Sequence, residues 1–517
     1  MTPPEPAPAT VSTAPAGAGT PVAGPAADPD PTPATPARRA SYPVLRWLIA
    51  ATFTVILNET IMINAIPRLM ADFSVSARSA QWISTAFMLT MAVVIPVTGW
   101  FLQRVSTRTA FTTAMTVFTA GTVLSAVAPA FPVLIAGRVV QAAGTAVMVP
   151  LLMTTLMTVV AERDRGRIMG NVTLAISVAP ALGPTVSGLI LAVAGWRWLF
   201  IAVLPVVALV TWRGLSRLEN VGEPKVSRLD WLSVLMAALG FGGLVYGLSR
   251  FGEVDGGFLP APVWLLAGLG IVLLFALRQR ALVRRSAPLL DLRVLGYRVY
   301  TLAVSMQSLA FLALLGSGIL LPLYLQELRG LSPLQTGLLV APGGLAMGLL
   351  GPVVGRLFDR FGARYLVVPG SVLVLLALLG LSRIGQDTPY VAILLLQVVL
   401  MLGIAALMTP AFTLGLGSVP SRLYSHGSSL LGTSQQVAAA VGTALTVTVL
   451  SWRERVATEG GAGPDAAYVT GVEAAFLVMA VLSVGVIVLA LMLPARAVTP
   501  AEDADEDSPH GATAPVH

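Results

Sequence analysis

Two ionisable residues stand where a charge is costly. Glu59 lies in the stretch VILNETIMINAIP (Val55–Pro67), with Asn58, Thr60 and Asn64, inside an otherwise apolar run. Arg138 lies in a second apolar run, in RVVQAAG, three residues before Gln141. Counted from the nearer end of each run, the two sit about 12 Å and about 10 Å deep at the helical rise per residue. A charged group at such a depth is functional by default. A carboxylate within range of a guanidinium can load and release a proton as water reaches it from one side and then the other. Glu59 and Arg138, at similar depth, are the candidate proton-coupling pair provided that the fold brings their two helices together. Glu59 is the only acid well inside such a run; Asp230, Glu327 and Glu473 stand at the ends of others.

Other chemistries find no support. The chain has no cysteine, and its three histidines (His426, His510, His517) are scattered, so no metal site is expected. Lys225, in GEPKVS, is the one lysine, which leaves no G-x-x-x-x-G-K-[ST] loop for ATP. No nucleophile–base constellation appears, so the chain reads as a non-enzyme without cofactor.

The elements that position Glu59 and Arg138 are membrane helices. Of 517 residues, 56% are hydrophobic and 11% are charged, with mean hydropathy +0.82. A soluble domain is about 25% charged. Apolar runs of helix-spanning length occur at 43–67, 80–102, 109–129, 131–160, 167–194, 198–215, 230–249, 262–281, 299–325, 333–357, 363–384, 389–417, 426–451 and 470–494. The runs are too long, and lack the alternation, for a transmembrane barrel. With the N-terminus inside, most arginines fall in cytoplasmic loops, for example Arg104 and Arg108, Arg163 to Arg167, Arg278 to Arg298, and Arg356 to Arg364. The net charge of +7 records that bias and gives no reason to expect nucleic acid. The expected organisation is a disordered cytoplasmic tail (1–42), a six-helix bundle (43–215), an inserted helix pair with linkers (216–298), a second six-helix bundle (299–494) and a disordered cytoplasmic tail (495–517). The first tail is rich in Pro, Ala, Thr and Gly and holds no apolar run like a cleavable signal.

Two loops repeat. GWFLQRVSTR (Gly99–Arg108) follows the second run and GRLFDRFGAR (Gly355–Arg364) the tenth. Both read G-x-φ-φ-x-R-φ-x-x-R, φ being apolar, and each closes the second helix of a six-helix set. Duplicated halves with a site between them are the pattern of secondary transporters. Gly355 is expected to allow a close helix approach and Gly362 a tight turn. Asp359 is expected to cap the eleventh helix and to pair with Arg360 or Arg364. In the fifth run, Ala175, Ala179, Gly183 and Ser187 recur every four residues as a small-residue face, beside Pro180 and Pro184.

With these motifs the chain resembles the major facilitator superfamily, over about residues 44–495, and in particular its fourteen-helix drug:proton antiporters of the EmrB/QacA type. The second loop fits that family's G-x-L-x-D-R-x-G-x-R motif. The first departs from it at Gln103, Ser106 and Thr107. RVVQAAG, APALGPTVSG (Ala179–Gly188), WRWLF (Trp196–Phe200) and LPLYLQELRGLSPLQTGLLVAPGG (Leu321–Gly344) fit further family motifs. LNETIMINAIP and LYSHGSSLLGTSQQVAAAVGTAL (Leu423–Leu445) resemble the LmrB lincomycin-resistance branch. The family places an aspartate where this chain has Asn58; the acid here comes one residue later, about 100° around the helix.

The resemblance implies an all-α membrane protein of major facilitator fold, two six-helix bundles plus two extra helices. It implies gating roles for Gly99, Arg104 and Arg108; for Gly183, Pro184 and Gly188; and for Gly355, Asp359, Arg360, Gly362 and Arg364. Asn58, Asn64, Gln141, Gln307 and Gln435 are polar within spans and are candidates for the substrate cavity. The function expected is proton-driven export of amphipathic drugs or antibiotics from a multi-pass protein of the cell membrane, with both termini cytoplasmic. The partners are a small molecule, protons and the bilayer, and the chain is expected to act as a monomer. Export of a self-made antibiotic or metabolite, and proton-coupled import, are the alternatives.

Overall fold

Each predicted run becomes a helical segment in a computed structural model of the chain, which describes residues 43–218, 220, 229–250, 260–284 and 288–494. Both tails and Lys225 lie outside the described residues, among which no strand occurs. The first half comprises α1 (Pro43–Ile61), α2 (Ala77–Arg104), α3 (Thr107–Ala126), α4 (Phe131–Val159), α5 (Arg165–Val193) and α6 (Trp198–Arg217). An inserted pair follows, α7 (Trp231–Ser249) and α8 (Ala261–Val283). The second half comprises α9 (Arg298–Leu323), α10 (Pro333–Phe361), α11 (Arg364–Leu381), α12 (Tyr390–Gly417), α13 (Tyr424–Glu459) and α14 (Pro464–Met492).

Eleven of these segments are long and apolar enough to cross a membrane by composition alone. The other three, α3, α5 and α13, are as long but spend positions on small and hydroxyl residues that pack against partner helices. Ser425, Ser428, Ser429 and Thr433 of α13, for example, are buried. The fourteen-span reading is compatible with this architecture.

The proline chemistry of the sequence sets the irregularities. α1 does not reach residue 67: it gives way at Met62–Ala65 to a 3-10 turn, and a short helix (Ile66–Phe73) begins with Pro67 in its first turn. α6 is interrupted at Ala202, where Pro205 cannot donate to the carbonyl of Ile201. α9 ends in a π turn (Tyr324–Leu328) just after Pro322.

The two halves repeat their packing. In the first, α1 packs on α4, α5 and α6, α2 on α4, and α3 on α4 and α6. In the second, the equivalent pairs are α9 on α12, α13 and α14, α10 on α12, and α11 on α12 and α14. The halves meet at two seams that are also equivalent, α2 against α13 and α5 against α10. Glycines let these helices touch. A Cβ on Gly355 would strike the carbonyl oxygen of Gly166, and one on Gly351 the carbonyl oxygen of Gly170. A Cβ on Gly99 would lie 2.9 Å from Nδ1 of His426.

The inserted pair sits on one seam. α7 packs on both α2 and α13. It is tied to α8 by Asp230, whose carboxylate accepts from Arg278 Nε and Nη2 at 2.7 and 2.9 Å. Gln279 extends the tie: its amide donates to Ser233, and its oxygen accepts from the backbone of Leu289 and Leu290. The arginine beside Asp230 holds its carboxyl well below the usual carboxylate value, at about 2.

Candidate functional site

Arg138 is the largest fully buried side chain of the first half and the centre of its polar network. It projects from α4, where its Nη1 donates to Gln141 Oε1 at 2.6 Å, one helical turn on. The same nitrogen reaches Asn58 Oδ1 of α1 at 3.5 Å. Gln141 is oriented in turn by α3, its amide donating to Thr122 Oγ1 at 2.8 Å. Phe87 of α2 lies under the guanidinium, 4.2 Å from its carbon to the ring centroid. Four helices thus converge on one cation.

Glu59 is placed next to this network and not inside it. It is half-buried, makes no hydrogen bond or direct ion pair among the described residues, and feels Arg138 through space. The direct partner on α1 is Asn58, where the resemblance implies an aspartate. The acid stands one residue further round the helix, out of contact with the guanidinium. The expected direct coupling is therefore an indirect one: Arg138 is neutralised by no carboxylate at contact distance, and Glu59 is half-buried and still in range.

Beyond Glu59, α1 changes character. Thr60 donates to the carbonyl of Leu57, and its side chain occupies the space that a Cβ on Gly183 would need. Gly183 of α5 thus packs against Thr60, the residue after the acid, a close approach of the kind the small-residue face predicts. α5 runs unbroken through Pro180 from there to the seam with α10. Gly188, by contrast, meets nothing within 4 Å.

At the far end of α5 the expectation for Asp359 needs correction. Asp359 caps α5 of the other half, not the eleventh helix. Its two oxygens accept from the backbone of Gly166 and Arg167 at 2.8 and 2.7 Å. It pairs with neither Arg360 nor Arg364 among the described residues; Arg360 stacks on Phe361 instead. The Gly355–Gly166 crossing brings the free N–H groups of α5's first turn to the carboxylate, and the helix dipole favours it there. Gly362 turns the chain with φ +84°, as expected. In the first loop, Gln103 takes the equivalent place with an amide, donating to the carbonyl of Arg422 just before α13 at 2.9 Å. Arg104 lies over Trp100, and the backbone of Arg108 donates to Asn220.

More bonds cross between the halves: Thr98 with Ser429 at 2.7 Å, Thr154 with Ser428 at 3.0 Å, and Thr173 with Thr409 at 2.9 Å. Among the described residues these side-chain bonds all lie in the half of the helices nearer the arginine-rich loops, the basic end.

The candidate cavity residues divide. Asn58 and Gln141 are buried and belong to the Arg138 network. Gln307 is buried against Met408, with its oxygen unpartnered. Gln435 is half-buried and open. The side chains of Asn64 and Pro184 lie outside the described residues. Sequence reasoning missed Phe87 and Thr122, which carry no mark in runs of apolar and hydroxyl residues. It also missed a clamp at the opposite end, where Asp72 accepts from Trp196 Nε1 at 2.7 Å and Arg197 at 3.2 Å, although WRW was visible.

The major facilitator superfamily model matches residues 48–443. The chain belongs to the major facilitator superfamily. Among curated facilitators it is 39% identical over 436 residues to the uncharacterized MFS-type transporter YcnB of Bacillus subtilis, covering 84% of this chain and 91% of that one. It is 38% identical over 441 residues to the lincomycin resistance protein LmrB of Listeria monocytogenes, covering 84% and 93%. The crystal structure of the human organic anion transporter MFSD10 superposes with TM-score 0.62 at 14% identity, covering 87% of this chain and 99% of that one, which is likeness of fold. The facilitator is thus a membrane transporter, similar to proteins named for lincomycin and multidrug resistance. Its paired six-helix halves are the fold's, and α7 and α8 are its additions.

Proposed function

We propose that this facilitator exports amphipathic drugs or antibiotics across the cell membrane in exchange for protons. The observation that carries the reading is the placement of Glu59: a half-buried carboxylate, without direct partners, in range of a buried Arg138 and in contact, through Thr60 and Gly183, with the helix that closes the seam. Such a group is free to change charge, and its neighbour α5 ends at the Asp359 cap. The halves, 43–215 and 299–494, move against each other about the two seams, with both termini on the basic, cytoplasmic side. In the present arrangement the bonds at the basic end hold that side shut. Protonation of Glu59 from outside removes its charge, and substrate binding returns it. Gln307 and Gln435 are offered as polar contacts for the substrate. The likeness to a lincomycin resistance protein supports antibiotics as the substrate class.

The test is Glu59→Gln in reconstituted vesicles. It keeps the shape and polarity of the side chain but cannot titrate. It is expected to insert normally and still bind drug, and to lose uphill efflux on a pH gradient together with drug-induced proton release. Glu59→Asp should keep part of both. Uphill export by Glu59→Gln at the parent's rate would make the carboxylate structural.

A further inference from the structure

The inserted helix leaves a crevice beside it. We propose that the crevice between α7, α9 and α13 holds one anionic phospholipid, with an acyl chain in the crevice and the phosphate at the exposed arginines of the basic rim.

The crevice measures about 400 Å³. Leu430, Val437 and Val441 of α13 form its floor, and Phe241 of α7 and Leu309 and Leu312 of α9 form its walls. The hydroxyls that reach it offer little. Thr433 donates to the carbonyl of Ser429 at 2.8 Å and Ser434 to that of Leu431 at 2.9 Å, within their own helix. A water molecule there would find only the Ser308 hydroxyl, fewer than the two to four partners it needs, and apolar cavities of ~150 Å³ already stay dry and take up apolar molecules. The medium that fills this one follows from its place. α7 lies on the outside of the α2–α13 seam, so a gap between α7 and α9 over α13 faces the bilayer. The neighbouring outer face of α7 is apolar and exposed at Leu232, Leu235 and Leu239.

Depth and charge select the kind of lipid. Leu309 stands eleven residues beyond Arg298 on the same helix, about 16 Å along it, which is half of a hydrocarbon core. Arg298 opens α9 at the basic end; it is exposed and pairs with no acid among the described residues. Arg280 and Arg284, at the end of α8, are exposed as well. The short helix Leu292–Gly296 packs on both α8 and α9 and so joins these residues into one rim. Guanidinium groups fork onto phosphate oxygens, and basic clusters at a membrane face attract anionic lipids. An acyl chain in the crevice thus ends at a cationic rim.

The test uses the full chain in vesicles that contain phosphatidylglycerol with a diazirine midway along one acyl chain. After irradiation, adducts are expected to concentrate on 306–312 and 430–441, in excess over the lipid-facing stretch of α14 around Leu477 and Val481. Ser434→Phe and Ser308→Leu fill the crevice from opposite sides, and each should abolish the excess while leaving the α14 adducts. If one of them fails to fold, the other carries the test. Arg298→Gln should lower the preference for phosphatidylglycerol over phosphatidylcholine about five-fold, one rim charge being removed. Adducts spread evenly over the surface, or an excess that survives both fillings, would overturn the proposal. An excess displaced by an exported drug would also overturn it, and would assign the crevice to the substrate.

Discussion

Arg138 shows how a buried cation is kept without a direct counter-ion. Its charge is shared among two amide oxygens and an aromatic face; Asn58 and Phe87 come from other helices, and Gln141 is held by Thr122 of α3. Lysine cannot reproduce this, since its ammonium lacks the planar fork that meets Gln141 and lies flat on Phe87. A hydrogen bond to a charged group contributes roughly 1.5–3 kcal/mol, so Arg138→Lys is expected to slow efflux at least about tenfold while expression stays normal. Thr122→Val tests the second tier. It leaves the Gln141 amide without its hydroxyl partner, and efflux should fall by less than in Arg138→Lys. Initial rates of drug efflux at a fixed pH gradient decide both. Glu59 and Arg138 were legible in the sequence because a charge among apolar residues contrasts with its surroundings. Phe87 and Thr122 were not, since an aromatic or a hydroxyl in a membrane helix is ordinary until its partner is known. The move from Asn58 to Glu59 was legible as a shift; that it separates the acid from the guanidinium needed the structure.

At the scale of elements, the repeated loops do unequal work. Asp359 satisfies two free N–H groups of α5 with a charged acceptor, whereas Gln103 makes one neutral bond to the carbonyl of Arg422. Loss of an N-terminal cap costs about 1 kcal/mol. Asp359→Asn should therefore loosen the α5–α10 seam and impair transport more than Gln103→Ala impairs it through the α2–α13 seam, at equal expression. The repeat itself could be read from the sequence, and so could the glycines at its crossing. The partner of Asp359 could not: Gly166 and Arg167 lie in the other half, and a local pattern does not say which helix end is brought to a loop. The inserted pair gives a prediction in pH. Arg278 holds the Asp230 carboxyl down at about 2, below the value near 4 of an unfolded chain. A depressed pKa contributes stability above the unfolded value, and that contribution is lost as pH falls from about 4 towards about 2. Asp230→Asn should lower the melting temperature at neutral pH and remove part of the parent's loss of stability in that window. Identical acid profiles for parent and variant would mean that the Asp230–Arg278 pair does not tie α7 to α8.

At the scale of the molecule, the cysteine-free sequence makes orientation and motion directly measurable. Ser216 is exposed at the end of α6, and Gly463 is exposed between α13 and α14. Single cysteines there should react with an impermeant reagent from opposite sides, Ser216→Cys from the cytoplasm. Gly461 is a poorer site, because its φ of +86° would strain a side chain. The motion is the stronger test, because the whole proposal requires the halves to part at the basic end. Thr98 and Ser429 face each other across the α2–α13 seam, oxygen to oxygen at 2.7 Å, in the same region as Gln103 and His426. Hydroxyls this close put the two residues within the usual reach of a disulfide. The pair Thr98→Cys with Ser429→Cys should cross-link under mild oxidation and hold the basic end shut. Drug added from the cytoplasmic side should then no longer be exported, and reduction should restore export to the level of the reduced double variant. Each single cysteine should transport in both redox states, which separates the cross-link from the loss of the hydroxyl pair. If the cross-linked protein still exports at the reduced rate, the α2–α13 seam does not open during the cycle, and the path must run through the α5–α10 seam alone.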